Sequence, residues 1–226
     1  MNYEIKGNVM QVVEVEVPGG ATMVTETGGM CWMDDGFAMD TNMPGGLFGG
    51  LARAISGESL FLTRYTAPPR GGRIAFAASS PGRILPVELR MGEELICQKQ
   101  SFLAAQDSVK LGIHFRKKLT TGLFGGEGFI LQKLTGPGLV FVEIDGEVEE
   151  KELGPGEVLK VDTGYVAMFQ PSIKFDVEMV KGFKNLFFGG EYFLARLTGP
   201  GRVWLQTMPL VTLAASIIPY LPKGKD

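Results

Sequence analysis

The chain has 226 residues, a formal charge of -3, an apolar fraction of 45 % and a charged fraction of 21 %, which is the balance of an ordinary folded domain and not of a disordered segment. At this length a chain buries roughly 70 to 75 % of the surface its unfolded form exposes, so it needs no disulfide framework to hold a core. No run of Lys or Arg exceeds Arg116-Lys117-Lys118, which leaves no footprint for a phosphate backbone: DNA is not an expected partner and RNA is disfavoured.

In chain order, Met1 to Val17 has neither a basic start nor a continuous apolar stretch, so it does not read as a secretory signal and the expected location is the cytoplasm. Within it Val13, Val15 and Val17 alternate with Glu14 and Glu16, the period-two pattern of a strand with one wet face. Seven of the eleven methionines (Met1, Met10, Met23, Met30, Met33, Met39 and Met43) fall in the first 43 residues. Methionine fills irregular cores or forms adaptable apolar surfaces; core filling is the favoured reading and the surface reading stays open. The 32 glycines and 13 prolines imply many tight turns between short strands.

Self-similarity is the strongest signal. Leu47-Phe48-Gly49-Gly50, Leu123-Phe124-Gly125-Gly126 and Phe187-Phe188-Gly189-Gly190 are spaced by 76 and 64 residues. The second and third are followed by Glu127 and Glu191, an apolar stretch, and then Leu134-Thr135-Gly136-Pro137-Gly138 and Leu197-Thr198-Gly199-Pro200-Gly201. The first inserts Leu51 to Gly57 and resumes at Glu58. Upstream, Val17-Pro18-Gly19-Gly20, Met91-Gly92-Glu93-Glu94 and Gly154-Pro155-Gly156-Glu157 form a second set of matching anchors. Thr-Gly-Pro-Gly suits a type II turn, with Pro fixing φ at the second position and Gly accepting positive φ at the third. Ile144-Asp145-Gly146-Glu147-Val148 suits a two-residue type I′ hairpin.

An all-β chain is therefore expected: one domain over 1–226, with three repeats at about 1–89, 90–152 and 153–210. A tail over 211–226 is expected to be helical, because the apolar stretch from Pro209 to Pro222 is too short to span a membrane. Three units that cannot cover their own apolar faces can bury them around a pseudo-threefold axis, as a triplicated β-sandwich or prism.

Gly57-Glu58-Ser59-Leu60-Phe61-Leu62 and the paired Leu-Thr-Gly-Pro-Gly turns resemble the altered-inheritance-of-mitochondria family, long labelled a domain of unknown function, over nearly the whole chain. The resemblance implies a fold like the tryptophan RNA-binding attenuation protein, of double-stranded β-helix type. It also implies a homo-oligomer, a trimer being the first candidate. Mitochondrial members are linked to respiratory-complex and inner-membrane organisation; no mitochondrial presequence is legible in this chain.

No residue pattern identifies a chemistry. His114 is the only histidine, and a cupin-type metal site needs several. A nucleophile needs an oriented base beside it, and no G-x-S-x-G elbow surrounds Ser56, Ser79 or Ser80. The Phe-Gly-Gly loops lack the Gly-Lys-Ser/Thr of a phosphate loop. Cys31 and Cys97 lack metal or redox spacing and read as reduced core residues. No catalytic residue, metal ligand or cofactor is therefore expected. Glu58, Glu127 and Glu191 could meet near one axis as a charged site, although capping of their own turns is the favoured reading. Phe48, Leu51 and Ile55 could offer an apolar surface to a partner, since the other copies lack the insertion. The leading expectation is a non-enzymatic oligomeric scaffold or assembly factor. A small-ligand or single-stranded RNA module is second, and a hydrolase or metalloenzyme last.

Overall fold

The structure, a computed structural model, describes residues 1–26, 28–41, 62–117, 128–184 and 191–221, without the side chains of 117, 181–184, 191, 192 and 219. The strands in chain order are β1 (Asn2–Lys6), β2 (Val12–Val17), β3 (Thr22–Glu26), β4 (Met30–Met33), β5 (Ala38–Asp40), β6 (Leu62–Thr66), β7 (Gly72–Ala77), β8 (Gly82–Leu89), β9 (Glu94–Gln98) and β10 (Phe102–Gln106). They continue with β11 (Lys110–Lys117), β12 (Phe129–Thr135), β13 (Gly138–Asp145), β14 (Val148–Leu153), β15 (Val158–Asp162), β16 (Val166–Phe169), β17 (Lys174–Lys184), β18 (Glu191–Thr198) and β19 (Gly201–Gln206). One short helix, α1 (Leu210–Ile217), follows, with a 3-10 turn at Ile218–Tyr220. The all-β expectation and the short C-terminal helix both hold; of the expected helical tail over 211–226, residues 222–226 lie outside the described residues.

The strands build four antiparallel sheets. The first is ordered β1-β2-β7-β4, the second β5-β6-β3-β10-β13-β8, the third β11-β12-β9-β16-β19-β14, and the fourth β15-β18-β17. The order of the third sheet is that of the second with every strand moved six places along the chain. After the β1-β2 hairpin, the chain shuttles between two sheets at almost every turn. The exceptions among the described strands are the pairs β5-β6, β11-β12 and β17-β18. The three Phe-Gly-Gly segments fall in the connections of these hairpins, outside the described residues.

This shuttling overturns two turn assignments. Asp145-Gly146 has the positive φ expected of its glycine, +78°, yet it makes no hairpin: β13 pairs with β8 and β10, whereas β14 pairs with β19. With both edges of β13 occupied, β14 has no free hydrogen-bonding groups to join and leaves for the next sheet. Likewise β12 and β13 lie in different sheets, and the Gly136-Pro137 and Gly199-Pro200 peptides between such strands are cis. A type II turn has φ near +80° at its third residue, whereas Gly138 and Gly201 stand at +144° and +142°. At Gly138 a Cβ would lie 2.8 Å from the Ser108 Oγ and from a Val109 methyl, at a φ that side chains rarely adopt, so a larger residue there is strained.

Burial explains the two kinds of strand sequence. In β2, Val13, Val15 and Val17 are buried while Glu14 and Glu16 face outward, giving the alternation of a sheet wet on one side. In β13, Leu139 and Phe141 enter one core cluster while Val140, Val142 and Ile144 enter another. A strand between two cores has no wet face, hence its almost uninterrupted apolar run. Among the described residues the core forms three clusters. One is built from strands of the first two sheets around Phe76 and Phe141, a middle one around Leu134 and Val142, and a third around Phe129, Phe169 and Leu197.

The turns are held by polar side chains that recur at matching places. Glu93 accepts the Arg90 N–H at 2.9 Å and Glu157 accepts the Gly154 N–H at 2.8 Å. At the corresponding first turn Pro18 has no N–H to offer, and Ala21 stands in the glutamate's place. Asp34, Gln106 and Gln170 accept the N–H of Arg73, Leu139 and Arg202 at 2.9, 2.7 and 2.8 Å.

Candidate functional site

Of the residues singled out by sequence, Phe48, Leu51, Ile55, Glu58 and Glu127 lie outside the described residues. Glu191 opens β18 opposite Lys184 of β17, and only its backbone is described. His114 sits on β11 at the bulge between Ile113 and Phe115, with its ring edge-on to Phe169 at 6.5 Å. Burial first, and the nearby Lys133 charge second, lower its pKa, against a smaller opposing effect of Glu94. That makes it a neutral imidazole packed beside an aromatic group. Among the described residues no three His, Cys, Asp or Glu side chains converge in a metal-binding arrangement.

A strongly perturbed carboxyl is that of Glu143 on β13. Burial raises its pKa to about 7, against the opposing hydrogen bonds from Ser79. One of its oxygens accepts both the Ser79 N–H at 2.6 Å and the Ser79 hydroxyl at 2.9 Å. Two residues on, Asp145 accepts the Ser80 hydroxyl and, at 2.7 Å, the Leu210 N–H at the start of α1. Gln206 donates to the Gly164 carbonyl at 2.8 Å while accepting the Asp145 N–H at 3.1 Å. This polar cluster ties the β8, β13 and β19 ends and the C-terminal helix together. Deeper in, Gln132 donates to Glu26 at 3.1 Å, and the buried Oε1 atoms of Gln98 and Gln132 accept no hydrogen bond. Sequence reading missed Glu143 because its partner Ser79 is 64 residues away.

A shallow cleft between the N-terminus and the loop after Pro69 is lined by Met1, Glu16, Arg70 and Arg73. Its arginines are engaged: Arg70 donates to the Asp35 carbonyl at 3.0 Å, and Arg73 faces Asp34 at 3.6 Å and Glu14 at 3.8 Å. Arg64, Lys133 and Arg196 recur at matching places on β6, β12 and β18, opposite Val24, Ile96 and Lys160. Each pairs with a carboxylate: Asp107 at 2.9 Å, Glu94 at 2.9 Å and Glu178 at 3.4 Å.

Among the described residues, exposed apolar side chains include two groups that lie close together in the chain. Along β4, Cys31 and Trp32 are exposed and Met30 and Met33 half-buried, so Cys31 is not the core residue its composition suggested. Beyond the last strand, Met208, Leu210, Ile217, Ile218, Tyr220 and Leu221 are exposed. The methionine-rich first segment divides: Met23 is fully buried, whereas Met10 and Met39 face water. No helix among the described residues is long and apolar enough to cross a membrane.

Comparison with known proteins supplies a family and a fold. A family model described as mitochondrial biogenesis AIM24 matches residues 3–208. A protein of Streptococcus pyogenes serotype M6, described as uncharacterized, is 26 % identical over 224 residues, covering 95 % of this chain and 88 % of its own. The crystal structure of a Streptococcus pyogenes protein from a structural genomics consortium superposes with a TM-score of 0.80 at 23 % identity, covering 97 % of this chain and 99 % of that one.

Proposed function

The chain belongs to the mitochondrial biogenesis AIM24 family, and from that premise we propose that it is a non-enzymatic, homo-oligomeric scaffold or assembly factor of the cytoplasm, built from three internal repeats. The observation that carries this reading is the contrast between its polar and apolar groups. Glu93, Glu157, Gln106, Gln170, Glu143 and Asp145 all hold backbone or side-chain donors of the architecture itself. Among the described residues apolar side chains are exposed along β4, where Glu14 accepts the Trp32 indole N–H at 3.3 Å, and after β19, and exposed apolar groups of this kind mark association surfaces. The matching strand orders of the second and third sheets support the repeat. Single-stranded RNA would need free cations and stacking rings along a groove; the recurring Arg64, Lys133 and Arg196 are ion-paired, which favours the protein-binding reading.

The test is light scattering on the purified protein across micromolar concentrations, with cross-linking and mass spectrometry in the native cell. A multimer with a reproducible cross-linked protein neighbour is the expected result. A monomer with no such neighbour refutes the scaffold reading.

A further inference from the structure

Three strands hold equivalent outer positions in their sheets. Gly72, Gly138 and Gly201 open β7, β13 and β19 and face Val17, Leu89 and Leu153, so β2, β8 and β14 align residue by residue from those ends. Val13, Glu14, Val15 and Glu16 thus correspond to Leu85, Pro86, Val87 and Glu88, and to Glu149, Glu150, Lys151 and Glu152. Among the described strands β8 and β14 end their sheets, whereas β2 carries β1 on its outer side.

The two open edges are blunted within their own sequences. Pro86 removes a backbone donor from β8, as prolines of edge strands do. β14 has Glu149 and Lys151 where β2 has two valines, so charges stand on both of its faces, which discourages an added strand. Neither device exists in β2: Val12–Val17 holds no proline, and its inward residues Val13 and Val15 are fully buried. Among the described strands β1 alone closes that edge.

β1 fits the edge imperfectly. Tyr3 and Ile5 lie opposite Val15 and Val13, with Ile5 half-buried against the first core cluster and Tyr3 edge-on to Phe141 at 5.2 Å. On the outer face Asn2 donates to Glu16 at 3.0 Å, but Glu4 stands directly opposite Glu14, and like charges so placed destabilise a strand pair. Lys6 serves both carboxylates, 3.3 Å from Glu4 and 3.1 Å from Glu14. Apart from Ile5 every residue of β1 is exposed, and a strand with few buried contacts opens at low cost.

We propose that β1 is a displaceable strap over a peptide-docking edge, and that the segment which replaces it on β2 is an extended stretch of another protein, apolar at alternate positions and basic at the place of Glu4. The complementarity is one of charge: a lysine opposite Glu14 turns a repulsion into an ion pair and leaves a second cation free for Glu16. Backbone hydrogen bonds of the incoming strand replace those of β1, the mode of recognition in which a peptide extends a sheet. Its apparent affinity is reduced by the fraction of chains whose strap is closed, so β1 also rejects strands that match the edge no better than it does. The inference goes beyond the scaffold reading and does not depend on the oligomeric state.

Fluorescence anisotropy tests it on the full-length chain, with a labelled synthetic peptide of residues 1–7 that carries lysine in place of Glu4. The wild type is expected to bind this peptide, and to bind it more tightly than the peptide with the native glutamate. Ile5→Ala loosens the strap and raises the apparent affinity about tenfold, equivalent to about 1.4 kcal/mol less hold on β1; Glu4→Lys tightens the strap and lowers the affinity. Far-UV circular dichroism checks the fold, and the wild type against Glu4→Lys decides the matter if Ile5→Ala unfolds. Amide hydrogen exchange with saturating peptide is expected to show β1 unprotected while β2 keeps its protection. Absence of binding, equal binding by wild type and Glu4→Lys, or a β1 that stays protected in the complex overturns the proposal. Each of these failures leaves the scaffold reading standing, since light scattering and cross-linking test that separately.

Discussion

Glu143 makes the stability of this protein fall as pH rises through neutrality. Its carboxyl is buried on β13 and has its pKa raised from 4.5 to about 7, chiefly by burial and further by the charges of Asp145 and Glu26, against the two Ser79 hydrogen bonds. The native state therefore holds this proton more tightly than the unfolded chain. The contribution is full below the unfolded pKa, is lost as pH rises through the folded pKa, and is constant above it. The shift, 7 minus 4.5, converts at 1.36 kcal/mol per unit to about 3 kcal/mol lost across that window. Glu143→Gln keeps an oxygen for the Ser79 N–H and hydroxyl and removes the titration. Urea unfolding of both proteins at pH values below, within and above the window measures the difference, from which the groups not coupled to Glu143 cancel. The variant is expected to gain about 3 kcal/mol on the wild type between the acid and alkaline ends. A stability difference that does not change with pH refutes the assignment of a protonated, buried Glu143.

Two further outcomes follow from the packing and from the turn after β13. Phe141, fully buried and edge-on to Tyr3 at 5.2 Å, leaves a cavity in the first core cluster when replaced by alanine, and the loss in urea unfolding is expected at about 3 to 5 kcal/mol. Asp145→Ala removes the acceptor of the Leu210 N–H and of the Ser80 hydroxyl; a loss of about 1 kcal/mol is expected, together with faster proteolytic cleavage within α1 than in the wild type.

The legible part of this protein was the part governed by local pattern. Alternating Val and Glu from Val13 to Val17 fixes a half-wet strand, and the apolar run from Leu139 to Ile144 fixes a strand without a wet face, because side chains on a strand point to opposite sides in turn. The glycine-rich segments mark where strands stop. Those signals establish the all-β class, and the motifs that carry the family resemblance, between Gly57 and Gly201, lie within the residues that the family model matches. The candidate site was less legible. Trp32 is an ordinary strand residue in sequence; it is exposed where Ala104 and Met168, at the matching places of β10 and β16, are buried, a comparison that needs the sheet order.

What the sequence by itself determined is the set of elements: short strands, their faces and their breaks, each decided by side chains within a few residues of one another. Only the tertiary structure decided which strands meet. Asp145-Gly146 has the composition of a hairpin turn, and local chemistry favours folding β14 back on β13. It does not, because hydrogen bonds from β8 and β10 already fill both edges of β13. Those partners begin 56 and 36 residues earlier in the chain than β13. The same competition for edges leaves β4 and β15 without the partners that β10, β16, β3 and β9 possess. An open edge is a property of the assembled sheet, since every strand carries the same backbone donors and acceptors until its neighbours are placed.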